Sequence, residues 1–195
     1  MPSPRRKGNQ AQTAEVRVEI LKAAFSVFAH GGFNGSSLKQ VATAVGISDA
    51  GLLHHFNSKV ALLNAVLEYR DSVSNEVALK AQSRGLTFPD DWYEVIANTA
   101  KSPDVISFFA VMSAESTNVD HPAHEYFASR YLRVTQVLSE GFESMKARGL
   151  VRADVDCLQA SKALIALSDG MQIQWLLNKN VELLQGQKDF IALLA

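Results

Sequence analysis

Apolar residues recur at helical spacing along nearly the whole chain, and turn residues divide this pattern into segments. The first segment runs from Thr13 to His30, where apolar side chains return every three or four positions, and Gly31-Gly32 ends it. Such a stripe predicts an amphipathic helix with one buried face. We expect this helix to be a scaffold for the shorter helices that follow, because short helices bury too little surface to be stable alone.

Two short helices joined by a turn are predicted next. Ser37 is a side-chain N-cap for the first, and Gly46 tolerates the left-handed backbone that a sharp turn requires. Ser48 caps the second helix. The apolar positions expected to face inward are Leu38, Val41, Ala42 and Val45 in the first helix and Leu52, Leu53 and Phe56 in the second. This is the sequence form of a helix-turn-helix, whose second helix enters the DNA major groove.

The remainder also has a helical pattern, which predicts an all-α fold. A helix capped by Asn57 or Ser58 is expected to continue to about residue 80 or 82, followed by a loop over residues 84–91. Further helices are predicted over residues 91–98, from Ser102 over residues 106–116, from about 120 to 148, from 158 to 177 and around 190–194. The predicted organisation is a disordered basic arm (1–12), a three-helix DNA-binding domain (13–60) and a larger helical ligand-binding and dimerisation domain (61–195).

The residues of the helix-turn-helix also carry a family resemblance. The run from Gly46 through L-L-H-H-F-N-S-K, with E-I-L-K-A-A-F-S-V-F-A-H-G-G-F before it, resembles the DNA-binding segment of the TetR family of bacterial transcriptional repressors. Leu53 departs from the pattern, since the family usually has a phosphate-binding tyrosine there. The resemblance implies a homodimer that pairs through its last two long helices, binds a palindromic operator and is released by a small-molecule effector.

Charge is distributed unevenly along the chain. Residues 1–60 hold seven Lys or Arg against three Asp or Glu, a balance of +4, and since the whole chain carries −1, the remainder carries −5. A basic segment joined to an acidic one is what a nucleic-acid module fused to a regulatory module would show, although a +4 balance can also arise by chance. The basic Arg5-Arg6-Lys7 arm fits either a DNA contact or a solubilising tail.

The predicted DNA-binding residues fall into two groups. For phosphate contacts we select Ser37, Lys39, His54, His55 and Lys59, and for the groove-facing surface Ser48, Asp49, Ala50 and Gly51. Asp49 is able to accept a hydrogen bond from a cytosine amino group, but it also suits a helix start. Replacing Lys59 by Ala is expected to weaken binding to all DNA sequences and to lower the salt slope by about one.

A small-molecule pocket is expected in the second domain. Its predicted walls are Trp92, Phe108, Phe109, Met112, Tyr126, Tyr131, Met171 and Trp175, with Glu115, Asn118, Gln172, His121 and His124 as polar contacts. Each aromatic residue taken alone is more typical of a core position. The apolar faces of the helix over residues 158–177, together with Phe190, Ile191, Leu193 and Leu194, predict an interface.

Other chemistry has little support in the sequence. His121 and His124 share a helix face suited to a metal, but a polar helix start explains them as well. Cys157 has no obvious His partner, and there is neither a nucleophile elbow nor a phosphate-binding glycine motif, so we expect no enzyme, cofactor or metal. No apolar run is long enough for a membrane span, and one cysteine fits the reducing cytoplasm. The alternatives are a helical scaffold or partner-binding protein with a purely structural helix-turn-helix, and an enzyme in the helical C-terminal domain.

Overall fold

The computed structural model describes the backbone of residues 5–195 and the side chains of residues 13–195. Within residues 5–195 every regular element is an α helix, which confirms the predicted all-α fold. The helices are α1 (Arg5–Gly31), α2 (Leu38–Val45), α3 (Asp49–His55), α4 (Lys59–Ser83), α5 (Asp90–Thr99), α6 (Pro103–Glu115), α7 (His124–Ala147), α8 (Cys157–Leu177) and α9 (Leu183–Ala192).

Helix α1 is longer than the sequence predicts. It begins at Arg5, so residues 5–12 of the predicted disordered arm are helical, and residues 1–4 lie outside the described part of the chain. The difference has a physical cause, because each residue added to an existing helix gains a hydrogen bond without a new nucleation cost. The fully buried Ile20, Ala24 and Phe28 lie on the inner face of α1, which packs against α2, α4 and α6.

The predicted helix-turn-helix is present, and its caps are the predicted ones. The Ser37 hydroxyl accepts from the Gln40 amide at 3.2 Å, while the Ser37 amide donates to the Gln40 side chain at 2.7 Å. Gly46 ends α2 with φ 76°, in the left-handed region that favours glycine. The Ser48 hydroxyl then caps α3 by accepting from the Gly51 amide at 3.0 Å.

Helix α4 joins the DNA-binding unit to the rest of the molecule. Ser58 is its N-cap, with the hydroxyl accepting from the Ala61 amide at 3.0 Å. The buried Leu62, Val66 and Leu67 of α4 belong to the same hydrophobic cluster as residues of α1, α2, α3 and α6. The two predicted domains therefore share one continuous core, and a shift of α4 or α6 acts directly on the helices that carry α3.

The remaining helices build the larger domain. Helix α6 is central to it, as its apolar pattern predicts, and α7 packs along α8, which also contacts α6 and α9. One correction concerns α9, which begins earlier than expected, at Leu183. Ile191, predicted at an exposed interface, is buried in one cluster with Leu138 and Phe142 of α7, because α9 packs against α8.

Candidate functional site

The polar side of α3 faces solvent. Ser48, Asp49 and Ala50 are exposed and Gly51 is half-buried, whereas Leu52 on the opposite face is fully buried. Phe56, which follows α3, is buried in the same cluster. The helix is therefore fixed by its apolar face and presents its N-terminal residues outward, as a recognition helix requires.

Leu53 does not face inward, which corrects the prediction from the sequence. Its side chain is 48% exposed. Each residue of a helix advances about 100°, so Leu52 and Phe56, four positions apart, lie on the inner face. Leu53 is rotated away from that face toward solvent. The exposed Leu53 thus occupies the position where the family that the sequence resembles usually has a phosphate-binding tyrosine.

The other candidates for phosphate contacts surround α2 and α3. Ser37, Lys39 and His54 are exposed, and His55 is half-buried. The carbonyl of His55 accepts from the Arg17 guanidinium at 3.0 Å, and Arg17 also lies 4.1 Å from the centre of the Phe56 ring. Sequence analysis did not identify Arg17, which ties the end of α3 to the scaffold helix.

Lys59 is held within the protein. Its ammonium donates to the Ser36 carbonyl at 2.5 Å and lies 4.4 Å from the centre of the Phe33 ring. Burial lowers the pKa of Lys59, and the charge of Glu115 partly opposes this shift. Lys59 therefore positions the turn between α1 and α2, immediately before the first helix of the motif.

This turn also contacts the end of α6. The Phe33 amide donates to the Glu115 carboxylate at 2.8 Å, and His121 Nε2 lies 3.5 Å from the same oxygen. Gly32 has φ 65°, and a Cβ there would lie 2.0 Å from the Glu115 carboxylate. Glu115 and His121, predicted as effector contacts, instead join the larger domain to the DNA-binding unit; we call this set, with Gly32, Phe33 and Lys59, the junction.

His121 and His124 already have partners from the protein. Nδ1 of His121 accepts from the Ala123 amide at 3.2 Å and lies 3.1 Å from the Ser116 hydroxyl, and Nδ1 of His124 lies 2.9 Å from the Ser116 carbonyl. Within the part of the chain whose side chains are described, no three His, Cys, Asp or Glu residues come together as metal ligands. Cys157 is buried at the start of α8, where burial raises the pKa of its thiol.

A cavity of about 360 Å³ lies among helices α4 to α8 of the larger domain. Its walls combine apolar side chains with an unusual number of charged ones. The apolar walls include Trp92, Phe109, Val134, Leu138 and Ile165, and the charged residues are Arg70, Asp71, Arg130, Arg133 and Asp169. A pocket of this size with a few polar groups is typical of small-molecule sites.

The carboxylate of Asp71 is the centre of the charged cluster. One of its oxygens lies 3.2 Å from Arg70 and 3.3 Å from Arg130, and the other lies 3.6 Å from Arg133. Burial alone would raise the pKa of Asp71, but the Tyr126 hydroxyl and the charges of Arg130 and Arg70 hold it below its usual value. Asp71 is thus ionised and shared among three cations.

Polar groups elsewhere in the cavity wall are less well satisfied. Asp169 accepts from the Tyr131 hydroxyl at 2.7 Å, and burial raises the pKa of this carboxyl group. Nε of Arg70 and Oε1 of Gln172 are buried without a hydrogen-bond partner. Since buried polar atoms in folded proteins are nearly always paired, both atoms point to a missing partner.

The eight residues predicted to form the walls of a ligand pocket do not all line the same cavity. Trp92 and Phe109 line the 360 Å³ cavity, and Tyr131 contributes only through Asp169. Phe108 and Met112 are fully buried in the core, Tyr126 donates to the Leu67 carbonyl at 3.3 Å, and Met171 and Trp175 pack in a cluster with Ile96, Ile106 and Leu183. Large apolar side chains readily fill a core, and the ligand-binding role of these residues stays a prediction.

Of the predicted polar contacts, only Gln172 lines the cavity, and the arginines were missed. The sequence did contain one signal, because Arg70 follows Leu63, Val66 and Leu67 at the i, i+3, i+4, i+7 spacing of a buried stripe. An arginine at an inward position needs a buried partner. That requirement predicts a polar cavity more directly than the aromatic residues do.

Comparison with known proteins gives consistent results. Residues 20–66 match the model for bacterial regulatory proteins of the tetR family. The regulator UidR of Escherichia coli is 23% identical over 163 residues, covering 83% of this chain and 82% of that protein. A regulator from Saccharomonospora viridis in complex with choline superposes with a TM-score of 0.76 at 23% identity, covering 91% of this chain and 96% of that one. FadR from Bacillus subtilis in complex with stearoyl-CoA superposes with a TM-score of 0.72 at 15% identity, with the same coverage of 91% and 96%.

An outward-facing helix-turn-helix on a helical domain defines a DNA-binding transcriptional regulator of the helix-turn-helix class. Residues 20–66 match the DNA-binding region of the tetR family, and in sequence and fold the chain resembles regulators of that family. Proteins of this family regulate transcription and are not enzymes. No helix in the described part of the chain has both the length and the apolar character that crossing a membrane requires.

Proposed function

We propose that this regulator is a homodimeric repressor that binds a palindromic operator and leaves it when a small molecule occupies the larger domain. The observation that supports this most directly is the orientation of α3. Its polar N-terminal side is exposed, while its apolar side is fixed in a core that continues into α4 and α6. Since the protein acts on DNA, we place its activity in the cytoplasm.

The groove contacts are assigned to Ser48, Asp49, Ala50 and Gly51. Phosphate contacts are assigned to Ser37, Lys39, His54 and His55. Lys39 is the clearest test of this group because its side chain is exposed, and Lys39→Ala is expected to reduce affinity for all sequences and the salt slope by about one. Lys101→Ala, at an exposed position far along the chain, is the control and should leave the slope unchanged.

Lys59 takes part in a different way. Because its ammonium bonds to the Ser36 carbonyl, it supports the N-terminal side of α2 rather than reaching freely toward a phosphate. The expected loss of about one unit of salt slope in Lys59→Ala stays a prediction. A loss of DNA affinity with an unchanged slope would assign Lys59 to positioning alone.

Dimerisation is proposed through α7 and α8. Leu132 on α7 and Leu158, Ile173 and Leu177 on α8 are exposed apolar side chains. Leu132 follows Tyr131, whose hydroxyl bonds to Asp169 on α8, so Leu132 lies at the same end of the helix pair as Ile173. A two-fold dimer reads two half-sites that lie about one helical turn (~34 Å) or a multiple apart, which a single α3 cannot do.

Release is proposed to begin in the cavity and to reach α3 through α4 and α6. Arg70 and Phe109 belong to the cavity wall, and α6 ends at the junction with the α1–α2 turn. A ligand has an effect only if it binds the arrangement with badly spaced recognition helices more tightly than the DNA-bound one. The known ligands of related structures, choline and stearoyl-CoA, support a binding role for this domain.

The test is selection of bound sequences from a random pool of duplex DNA by the purified protein. The expected product is a palindrome whose half-sites have the spacing of a dimer. Double replacement of Ser48 and Asp49 by Ala should abolish the enrichment at a temperature where the variant is still folded. Recovery of no palindromic sequence would contradict the proposal and favour a helical scaffold.

A further inference from the structure

Two residues that line the cavity among α4 to α8 each have a buried polar atom without a hydrogen-bond partner in the protein. The side chain of Arg70 is 9% exposed and that of Gln172 is 7% exposed, yet Nε of the first and Oε1 of the second have no partner. One is a donor carrying positive charge and the other is an acceptor. A ligand that satisfies both must present an acceptor to Arg70 and a donor to Gln172.

The charge of the wall favours an anion. The charged residues that line the cavity are three arginines, Arg70, Arg130 and Arg133, and two aspartates, Asp71 and Asp169, which leaves a formal surplus of +1. Burial lowers the pKa of Arg70 to about 10, so this side chain remains charged at neutral pH. Burial also raises the pKa of the Asp169 carboxyl group.

The positive groups are held in place before any ligand arrives. The guanidinium groups of Arg70 and Arg130 lie 4.4 Å and 4.7 Å from the centre of the Phe109 ring, and both contact the same oxygen of Asp71. Stacking on an aromatic ring and pairing with a carboxylate both restrict an arginine side chain. The cluster is therefore a preorganised cationic site. Its arginines outnumber its carboxylates by one.

We propose that the effector is a small organic monoanion whose carboxylate binds at the Arg70–Arg130–Arg133 cluster, whose donor meets Gln172 and whose apolar body packs on Phe109, Leu138 and Ile165. This inference rests on the proposed function, since it names the ligand class of the same cavity. A monocarboxylate matches the surplus of one charge. A cationic ligand adds to the surplus, and a phosphate dianion exceeds it.

The site also explains how such an anion acts on the DNA-binding unit. Arg70 lines a second cavity of about 460 Å³ together with Lys22 and Phe25 of α1. Its guanidinium thus lies between the effector site and the scaffold helix. Drawing Arg70 toward a carboxylate changes the packing of α4 against α1, and α1 holds α3 through the Arg17–His55 contact.

The test uses probes of similar size whose head groups differ in charge. Purified protein is titrated by calorimetry with 4-hydroxybenzoate, 4-hydroxybenzamide and 4-hydroxybenzylamine, and with 6-hydroxyhexanoate, 6-hydroxyhexanamide and 6-hydroxyhexylamine, whose hydroxyl groups supply the donor for Gln172. The carboxylate of at least one set is expected to bind at least about tenfold more tightly than its amide, as a charged hydrogen bond to arginine implies. Equal binding of acid and amide, preference for the amine, or no binding of either carboxylate would overturn the inference.

Substitutions of residues in the cavity wall show where the carboxylate binds. Gln172→Glu and Arg133→Gln each bring the formal surplus to zero and should weaken carboxylate binding about tenfold. Arg84→Gln is the matched control, because Arg84 and Arg133 are both 58% exposed and each contacts one carboxylate, but Arg84 pairs with Glu94 outside the cavity. Equal affinity of the Arg133→Gln and Arg84→Gln proteins would place the carboxylate elsewhere.

Operator binding is also measured in the absence of any probe. This measurement distinguishes a failure of the anion site from a failure of the proposed function. Protein that selects a palindrome but is released only by cationic or neutral molecules retains the proposed function and contradicts the anion site. Protein that binds carboxylates but selects no DNA retains the anion site and contradicts the repressor. Release of the selected operator by the carboxylate and not by its amide supports both.

Discussion

At the scale of single residues, the three arginines depend on Asp71. The pKa of this carboxyl group is lowered in the folded protein, so its ionisation stabilises the fold above the usual value of about 4 and this contribution is lost as the pH falls. Asp71→Asn leaves Arg70 buried without its partner and is expected to lower the free energy of unfolding by about 3 kcal/mol at pH 7. Chemical denaturation at pH 7 and pH 4 measures both effects.

The control for this substitution is Asp154→Asn. Asp154 pairs with Arg152 at 3.3 Å but is 80% exposed. Asp154→Asn should therefore change the free energy of unfolding by less than about 0.5 kcal/mol. The Asp71→Asn protein should also lose less stability than the parent protein between pH 7 and pH 4. An unchanged acid dependence would mean that Asp71 is not held ionised by the arginines.

A second prediction for a single residue concerns Asp169 and the binding of a carboxylate ligand. Burial already raises the pKa of this carboxyl group, and a carboxylate ligand placed in the same cavity raises it further. Binding should therefore take up protons, and affinity should increase as the pH is lowered. Calorimetry in buffers of different ionisation enthalpy counts the protons directly. Asp169→Asn should bind more tightly and show no uptake, and proton uptake that persists in this variant would contradict the assignment.

At the scale of helices, the N-cap of α3 is expected to influence both stability and DNA binding. Ser48→Ala removes the hydroxyl that accepts from the Gly51 amide, and loss of an N-cap costs about 1 kcal/mol. Asp156→Ala removes the equivalent cap of α8, where the carboxylate accepts from the Gln159 amide at 3.1 Å. Both proteins should unfold more easily, but only Ser48→Ala should weaken operator binding in a gel-shift titration at a temperature where both are folded. Equal weakening would remove Ser48 from the DNA surface.

The contact between α6 and the α1–α2 turn is expected to transmit the signal. Glu115→Ala removes the acceptor of the Phe33 amide and the carboxylate beside His121, but it leaves the cavity wall intact. Effector affinity should change less than about twofold, while the ratio of operator affinities without and with effector should fall about tenfold, within the usual range of coupling. Glu68→Ala, at an exposed position on α4, is the control. A coupling ratio unchanged in Glu115→Ala would exclude this route.

The helices show which features a sequence can predict. Ser37, Ser48 and Ser58 were recognised as caps because a cap depends on residues within three or four positions. The arginines of the cavity were not predicted because their contacts are non-local: Arg130 reaches Asp71 across 59 positions of sequence. Only the inward position of Arg70 on the apolar stripe of α4 indicated the cluster. Glu115 and His121 were assigned to the cavity for the same reason, since nothing local shows that Glu115 faces the turn after α1.

At the scale of the whole molecule, the two predicted domains share a core but carry different functions. The cluster that includes Phe28 of α1 and Leu52 of α3 also includes Phe108 of α6 and Phe127 of α7. A packed core changes between discrete arrangements more readily than it deforms continuously. Movement of α4 or α6 therefore reorients the DNA-binding unit as a body, and its effect on operator affinity depends on a partner that fixes the distance between two such units.

The exposed face of α7 and α8 is expected to supply that partner contact. Leu132, Ile173 and Leu177 are 75%, 51% and 84% exposed, and an isologous interface would bury each of them twice. Ile173→Glu then places two unpaired charges at the interface and should weaken dimerisation at least about 100-fold, because an unpaired buried charge costs several kcal/mol. Leu79→Glu is the control, since Leu79 is also an exposed apolar residue, but it lies on α4. Sedimentation velocity should show an Ile173→Glu monomer and a Leu79→Glu dimer, and the monomer should bind one half-site weakly with no preference for the full palindrome. An Ile173→Glu protein that remains dimeric would place the interface on another face.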